Sequence, residues 1–304
     1  MYIYTMVMGD HTQHGLMCLS SVDDYENNII KKHENTVERK EIDRTKLTDI
    51  QSANIGPVFL TYLGGEAVTE KINHIANSQE PHCSVTTDDG IKHILHIVNQ
   101  ADSEWFEEAF KQIPATYVAD GHHRTQAAYN VGKMRKQAAI DAGHEVKGDE
   151  PFNFFMSLIV PGTEIKCFEY NRVIYSLDGN TPEEFINKMK PNFDISELPE
   201  GESTRPKEAH TINMRLDNKW WVCKIKPELI DEADPVKHLD TDLLTQLCLK
   251  PILGIENPKV DKRIGFSGGI RGDEELVRRC NTDCAAAFAM YPIGIEELLA
   301  VADA

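Results

Sequence analysis

Residues 116–130 read TYVADGHHRTQAAYN. A short apolar strand (Tyr117, Val118, Ala119) runs into Asp120-Gly121-His122-His123-Arg124 and then into a helical pattern that reaches about residue 142. A strand that stops at Asp-Gly and restarts as a helix leaves the first helical N–H groups without intrahelical partners. The helix dipole adds partial positive charge at the same end. Two imidazoles and a guanidinium share that spot, so the local chemistry favours an anion, above all a phosphate. A plain alternative is a charged turn with a histidine pair packed for structure. Asp120 is open to three roles: base, metal ligand or helix cap.

The composition bounds the rest. The chain has 304 residues, 41% hydrophobic and 27% charged, with a net charge of −17 from 49 acidic and 32 basic residues. That length can bury a substantial core. A nucleic-acid binder needs a basic face. The nearest candidates here, Lys31-Lys32 and the group Lys133, Arg135, Lys136, are short and balanced by carboxylates. DNA binding is therefore not expected. No apolar run approaches the ~20 residues that cross a bilayer. The N-terminus, MYIYTMVMGDHTQHG, reads as a strand and turn and lacks the basic region of a signal peptide. Seven scattered cysteines without a Cys-x-x-Cys fit reduced thiols, and the expectation is a cytoplasmic protein that does not contact membranes.

Along the chain, residues 1–8 and 15–22 form a hairpin pattern around Gly9-Asp10-His11. A helix is expected from Val22-Asp23-Asp24-Tyr25 through NNIIKKHENT, followed by charged residues to Thr48. Ile55–Tyr62 reads as a buried strand, 65–80 as a helix and 81–98 as a strand pair turned at Asp88-Asp89-Gly90. After the 116–142 unit come a very apolar strand, FNFFMSLIV, a strand at Tyr170–Tyr175 and a helix from Thr181-Pro182-Glu183-Glu184. A hairpin turned at Asp217-Asn218 and a helix through Leu239–Leu249 ending at Pro251 come next. A glycine-rich loop at Gly265–Gly272, a helix, the strand AAAFAMY and a last helix complete the pattern. Strands and helices alternate irregularly. The pattern predicts an α+β fold, a mixed sheet with flanking helices, and not a doubly wound parallel one.

Other clusters carry weaker signals. His33-Glu34 places a carboxylate beside an imidazole, as a general base or a magnesium ligand would need, or it is a solvated helix face. His93 and His96 point to opposite faces if their segment is a strand, so they cannot share a metal. Arg271, within Gly268-Gly269-Ile270-Arg271-Gly272, puts a guanidinium in a glycine loop that matches neither a Walker loop nor a dinucleotide fingerprint. With Asp261 and Arg263 it is a candidate second anion contact, and the plain alternative is a glycine turn with a surface arginine.

Several strings, in order, resemble the bacterial and archaeal family known as domain of unknown function 1015. They include HTQHGLMCLSSVDDY, IIKKHENT, NIGPVFLTY, YVADGHHRTQAA, FEYNRVI, LDNKWW, DPVKHLD, KPILGI and DKRIGFSGGIRG. The family's Asp-Gly-His-His-Arg is similar to the phosphate motif of ParB-like and sulfiredoxin-like proteins, a superfamily that includes kinases of free serine. The resemblance implies a ParB/sulfiredoxin-like core with additional α/β elements, and Gly121, His122, His123 and Arg124 around a phosphate. Cys83 lies outside the motif, so a sulfiredoxin-type thiol mechanism does not carry over. Members usually begin with an extra segment and continue past the VADA segment, so one family domain, incomplete at both ends, is expected over 1–304. A soft split separates a phosphate-binding core, 1–162, from an accessory region, 163–304.

The function expected is a small-molecule phosphotransferase, kinase-like, acting on free serine or a similar hydroxy amino acid. Glu34, Asp120 and His123 are the catalytic candidates. Gly121, His122, Arg124, Arg172 and Arg271 are the phosphate-binding candidates. ATP or ADP would be the cofactor, with Mg²⁺ at Glu34 and Asp120, and the partner a small phosphorylated metabolite or nucleotide. Two alternatives remain: a phosphoserine phosphatase, and a phospho-metabolite binding or regulatory protein without catalysis.

Overall fold

The computed structural model describes residues 1–33 and 36–303. Among the described residues the chain forms two compact units, Met1–Ile165 and Lys166–Ala302.

The first unit contains β1 (Tyr2–Met8), β2 (His11–Ser21), α1 (Val22–Glu26), β3 (Ile30–Lys31), α2 (Glu38–Gln51) and β4 (Val58–Tyr62). It continues through α3 (Glu66–Ser78), β5 (Cys83–Thr86), β6 (Lys92–Ile97), α4 (Gln100–Phe110), β7 (Thr116–Asp120), α5 (His122–Asp141) and β8 (Phe154–Pro161). Among the described residues its strands make one eight-stranded sheet in the order β3-β7-β4-β8-β2-β1-β6-β5. The sheet is mixed: β8 runs parallel to β4 and antiparallel to β2, and β7 runs antiparallel to β4 and parallel to β3. Ile3, Leu16, Leu60, Val118 and Phe155 of the sheet pack with Ile72, Ile75 and Phe106 of the helices in one core. Each such side chain contributes about 1.5–3 kcal/mol by leaving water. The Asp-Gly of the 116–130 stretch therefore sits at an edge-proximal strand end, where β7 hands over to α5.

The second unit contains β9 (Tyr170–Ile174), α6 (Pro182–Met189), β10 (Phe193–Glu197), β11 (Thr211–Leu216), β12 (Lys219–Ile225), α7 (Asp240–Leu244) and α8 (Lys250–Leu253). It closes with β13 (Ile264–Gly268), α9 (Asp273–Thr282), β14 (Ala286–Ala289) and α10 (Ile295–Asp303). Its sheet runs β10-β12-β11-β14-β9-β13, with antiparallel pairs throughout the described residues. One face, with Ile174, Ile212, Met214 and Phe288, packs against α6 and the α7–α8 run through Phe185, Leu244 and Leu249. The other, with Val173, Ala287 and Ala289, packs against Leu276 of α9. The mixed α+β architecture is the one the sequence predicts.

Two expectations are corrected, and a stretch read only as charged proves helical. The helix opening at Val22 stops at Asn27, because Asn28 takes a left-handed φ of 59° and the chain becomes β3. The charged stretch before Thr48 is helix α2, which buries none of its residues and so shows no apolar stripe. The helix from Asp240 does not end at Pro251. A π-helical segment, Thr245–Leu249, precedes the proline and the helix resumes over Lys250–Leu253. Proline lacks the N–H that an unbroken α-helix would use, and a π-bulge is one way to absorb the missing bond.

Candidate anion site at the start of helix α5

Gly121 makes the turn between β7 and α5 at φ 99°, a conformation that favours glycine. The first intrahelical bonds are donated by Arg124 N and Thr125 N to Gly121 O, at 2.8 and 2.9 Å. The N–H groups of His122 and His123 precede them and point out of the helix end, where the dipole is positive.

The Arg124 side chain is held before any ligand is considered. Its Nη1 donates to Pro57 O at 2.7 Å and its Nη2 donates to the Asp120 carboxylate. A Cβ on Gly121 would lie 2.9 Å from Arg124 Nε, and one on Gly56 would lie 3.2 Å from Nη1. Two glycines at positive φ thus leave the slot that the guanidinium fills. A guanidinium carries five N–H donors, so this arrangement commits two and leaves three. Arg44 of α2 lines the same small cleft as Arg124, with Asn54 and Gly56.

The two histidines do different work. His122 is buried, and its ring meets that of His33 edge-on at 4.5 Å between centroids. His123 Nε2 accepts the N–H of Val37, the residue before α2, at 3.1 Å. Farther along, Glu41 of α2 accepts from Asn130 Nδ2 at 3.0 Å and from Thr36 Oγ1 at 2.8 Å. The Asn130 amide, then the Thr36 hydroxyl, hold its carboxyl below the usual range. These contacts lay the N-terminal end of α2 along the first turns of α5, so two positive helix ends share the region.

The structure thus brings Asp120, Gly121, His122, His123 and Arg124 together. Glu34 lies outside the described residues. Arg172 and Arg271 belong to the second unit. The Arg172 guanidinium lies 5.2 and 5.1 Å from the ring centres of Tyr170 and Phe266, which stack on each other at 5.2 Å. Burial pushes it down to about 10, which still leaves it charged at neutral pH. Arg271 is exposed and sits 4.0 Å from Glu275. Gly56, Pro57 and Arg44 carry no site signal of their own in the sequence, although Gly56-Pro57 stands in the string NIGPVFLTY. As for a metal, Asp120 offers the carboxylate oxygen that Arg124 does not take. Among the described residues no group of three or more His, Cys, Asp or Glu is arranged to hold an ion. Likewise, among the described residues no helix is long and apolar enough to cross a membrane.

The family model for a protein of unknown function, DUF1015, matches residues 1–242, which include the whole junction. The chain belongs to this family. No curated protein matches this DUF1015 chain. Among solved structures it is similar to a mutant free serine kinase in complex with AMP, at 11% identity and a TM-score of 0.43, over 94% of this chain and 82% of that one. It is also similar to a conserved hypothetical protein from Pyrococcus furiosus, at 11% identity and a TM-score of 0.40, over 93% and 83%. A third is C-terminally truncated SbnI from Staphylococcus aureus, at 11% identity and a TM-score of 0.39, over 94% and 77%. These are loose likenesses of fold, and none bears on chemistry.

Proposed function

We propose that this DUF1015 chain is a small-molecule phosphotransferase whose phosphate sits at Gly121–Arg124. The observation that carries the reading is the fixed Arg124 guanidinium, placed beside the outward N–H groups of His122 and His123 at a positive helix end. In phosphoryl transfer the protein mainly positions the reactants and offsets negative charge, which is what such a site supplies. Arg124, His122 and the amides after Gly121 hold the phosphate. Asp120, with its side chain 73% exposed, or Glu34 takes the proton of the attacking hydroxyl. His123, its Nε2 engaged by Val37 N, steadies the residue before α2. The sequence resemblance extends the proposal to a nucleotide donor, ATP or ADP with Mg²⁺, and to free serine or a similar hydroxy amino acid as acceptor.

One observation favours a second reading, a phospho-metabolite binding protein without catalysis: the Asp120 carboxylate is already tied to Arg124. A thermal-shift series with ADP, ATP, phosphoserine and inorganic phosphate, with and without Mg²⁺, tests both. A ligand at about 100 times its dissociation constant adds about 2.7 kcal/mol of stability. Arg124→Ala should abolish the shift under either reading. If the protein is an enzyme with Glu34 as the base, Glu34→Ala should abolish turnover and spare the shift. No shift with any ligand in the unmodified chain sinks the phosphate site.

A further inference from the structure

The second unit carries a row of buried polar side chains on the face of its sheet that meets α9. Asn213 lies opposite Ala289, and Asn171 lies opposite Ser267. Strand β14 stands between β11 and β9 with Val173 facing Ala287, so Asn171 and Ala289 fall beside each other two residues along. Directly opposed residues in an antiparallel pair share a face. The row therefore reads Asn213, Ala289, Asn171, Ser267 across four strands. Ala289 is the small residue between the two amides and is itself buried. Asn171, Asn213 and Ser267 are 0%, 3% and 3% exposed.

Two carboxylates join the row. Glu169, two residues before Asn171, is 6% exposed and lies over Gly269, where a Cβ would come within 2.3 Å of its Cδ. Asp273, the first residue of α9, accepts the Thr204 hydroxyl at 2.5 Å, while Thr204 O accepts from Asn213 Nδ2 at 3.0 Å. Arg205 Nε stands 3.3 Å from Glu169 Oε1 and 3.7 Å from Asp273 Oδ1. Neither contact is aligned as a hydrogen bond. Among the described residues, Asn171 Nδ2, Asn213 Oδ1, Ser267 Oγ, Glu169 Oε1 and Asp273 Oδ1 are all buried without a hydrogen-bond partner. Each amide is nevertheless fixed by its other end, since Asn171 Oδ1 accepts the Met290 N–H at 2.9 Å.

The unmet demand has a definite character. Three carbonyl or carboxylate oxygens ask for donors, one amide N–H asks for an acceptor, and a hydroxyl can serve either way. Two carboxylates face one guanidinium that is 53% exposed, and Asp273 also meets the Thr204 hydroxyl and the positive end of α9. A cleft of about 240 Å³, lined by Arg205, Thr211, Asn213 and Val222, shares Arg205 and Asn213 with the row. We propose that this row binds a small primary amine bearing an oxygen on a neighbouring carbon. The ammonium sits among Glu169, Asp273 and Asn213, and the oxygen meets Asn171 and Ser267. The site is built entirely from residues of the second unit and does not rest on the phosphate reading.

Calorimetric titration of the full chain tests it, using ethanolamine, methylamine, ethylene glycol, KCl and MgCl2 as probes. Ethanolamine should bind saturably at one site, at least about tenfold more tightly than ethylene glycol, since a hydrogen bond to a charged group is worth about 1.5–3 kcal/mol. Asp273→Asn should lose about tenfold on the same scale. Ser267→Ala, which removes only the oxygen contact, should narrow the preference for ethanolamine over methylamine, and it serves if Asp273→Asn fails to fold. Equal binding of ethylene glycol, or no saturable binding of ethanolamine, overturns the proposal and leaves a row filled by ordered water. So does an unchanged preference in Ser267→Ala, or saturable binding of Mg²⁺ or K⁺ where ethanolamine shows none.

Discussion

At the residue scale, the arrangement around Arg124 turns on what is missing at positions 56 and 121. An arginine on the first turn of a helix normally samples many rotamers, and ordering it costs up to about 2 kcal/mol. Here the two glycines, the Pro57 carbonyl and the Asp120 carboxylate accept that cost during folding, so a ligand does not have to. Gly121→Ala should therefore hurt twice. The left-handed backbone of a non-glycine residue costs about 1–2 kcal/mol, and the new methyl presses on Arg124 Nε at 2.9 Å. We expect a lower melting temperature together with a weaker phosphate-induced shift, beyond what the loss of stability alone gives. A variant that melts earlier yet binds ADP and phosphate unchanged would show that the guanidinium position is immaterial. The junction itself was legible in the sequence, since strand, Asp-Gly, histidines and arginine are neighbours in the chain. The slot that holds Arg124 was not, because it comes from residues 56 and 57, far away in sequence.

At the scale of elements, local signals and their limits are visible side by side. Helix α6 follows from Thr181-Pro182-Glu183-Glu184, and the structure shows the reciprocal capping box between Thr181 and Glu184. The β11–β12 turn follows from Asp217-Asn218, both at positive φ. Helix α2 escaped, since an element that buries nothing has no periodic apolar face to read. The polar row escaped for the opposite reason: single Asn or Ser residues inside apolar strands mean nothing until four strands are put in register. A tie of the same long-range kind joins β2 to the turn Gly162–Glu164 after β8. Glu164 Oε2 accepts the His14 N–H at 2.6 Å and lies 3.1 Å from His14 Nδ1. Burial raises this carboxyl most of any single cause, and hydrogen bonds from His14 and Asn73 together outweigh it, so its pKa falls below the ordinary glutamate value. A depressed acid stabilises the fold above its unfolded pKa, and that stability is lost as pH falls through the folded one. His14→Ala keeps the backbone bond and removes the ring. Its acid unfolding midpoint should move to higher pH, and the stability it loses near neutrality should shrink as pH falls through the folded pKa. Coincident acid limbs for the variant and the unmodified chain would remove Glu164 from the account.

At the scale of the whole molecule, a net charge of −17 sets a field that local chemistry must work against. The ion pairs do little to relieve it. Lys111–Glu108, Lys207–Glu202 and Lys224–Glu208 have both side chains close to half exposed or more, and such pairs are worth about 0–1 kcal/mol each. The surplus carboxylates repel one another across the surface and disfavour the compact state. That repulsion reaches as far as the Debye length, about 30 Å at 0.01 M salt and about 3 Å at 1 M. Salt weakens both the exposed pairs and the repulsion, and with 49 acids against 32 bases the repulsion outweighs the pairs. The melting temperature should thus rise with NaCl over the range from about 0.01 to 1 M, measured without ligand. The same screening acts on an incoming phosphate, which meets the negative field of the chain before it reaches Gly121. Salt should accordingly speed ADP association before it weakens the final contact with Arg124. A nucleic-acid binder would lose affinity steeply and without such a phase. A melting temperature that falls steadily with salt would mean that the ion pairs, and not the excess of carboxylates, govern the electrostatics of this fold.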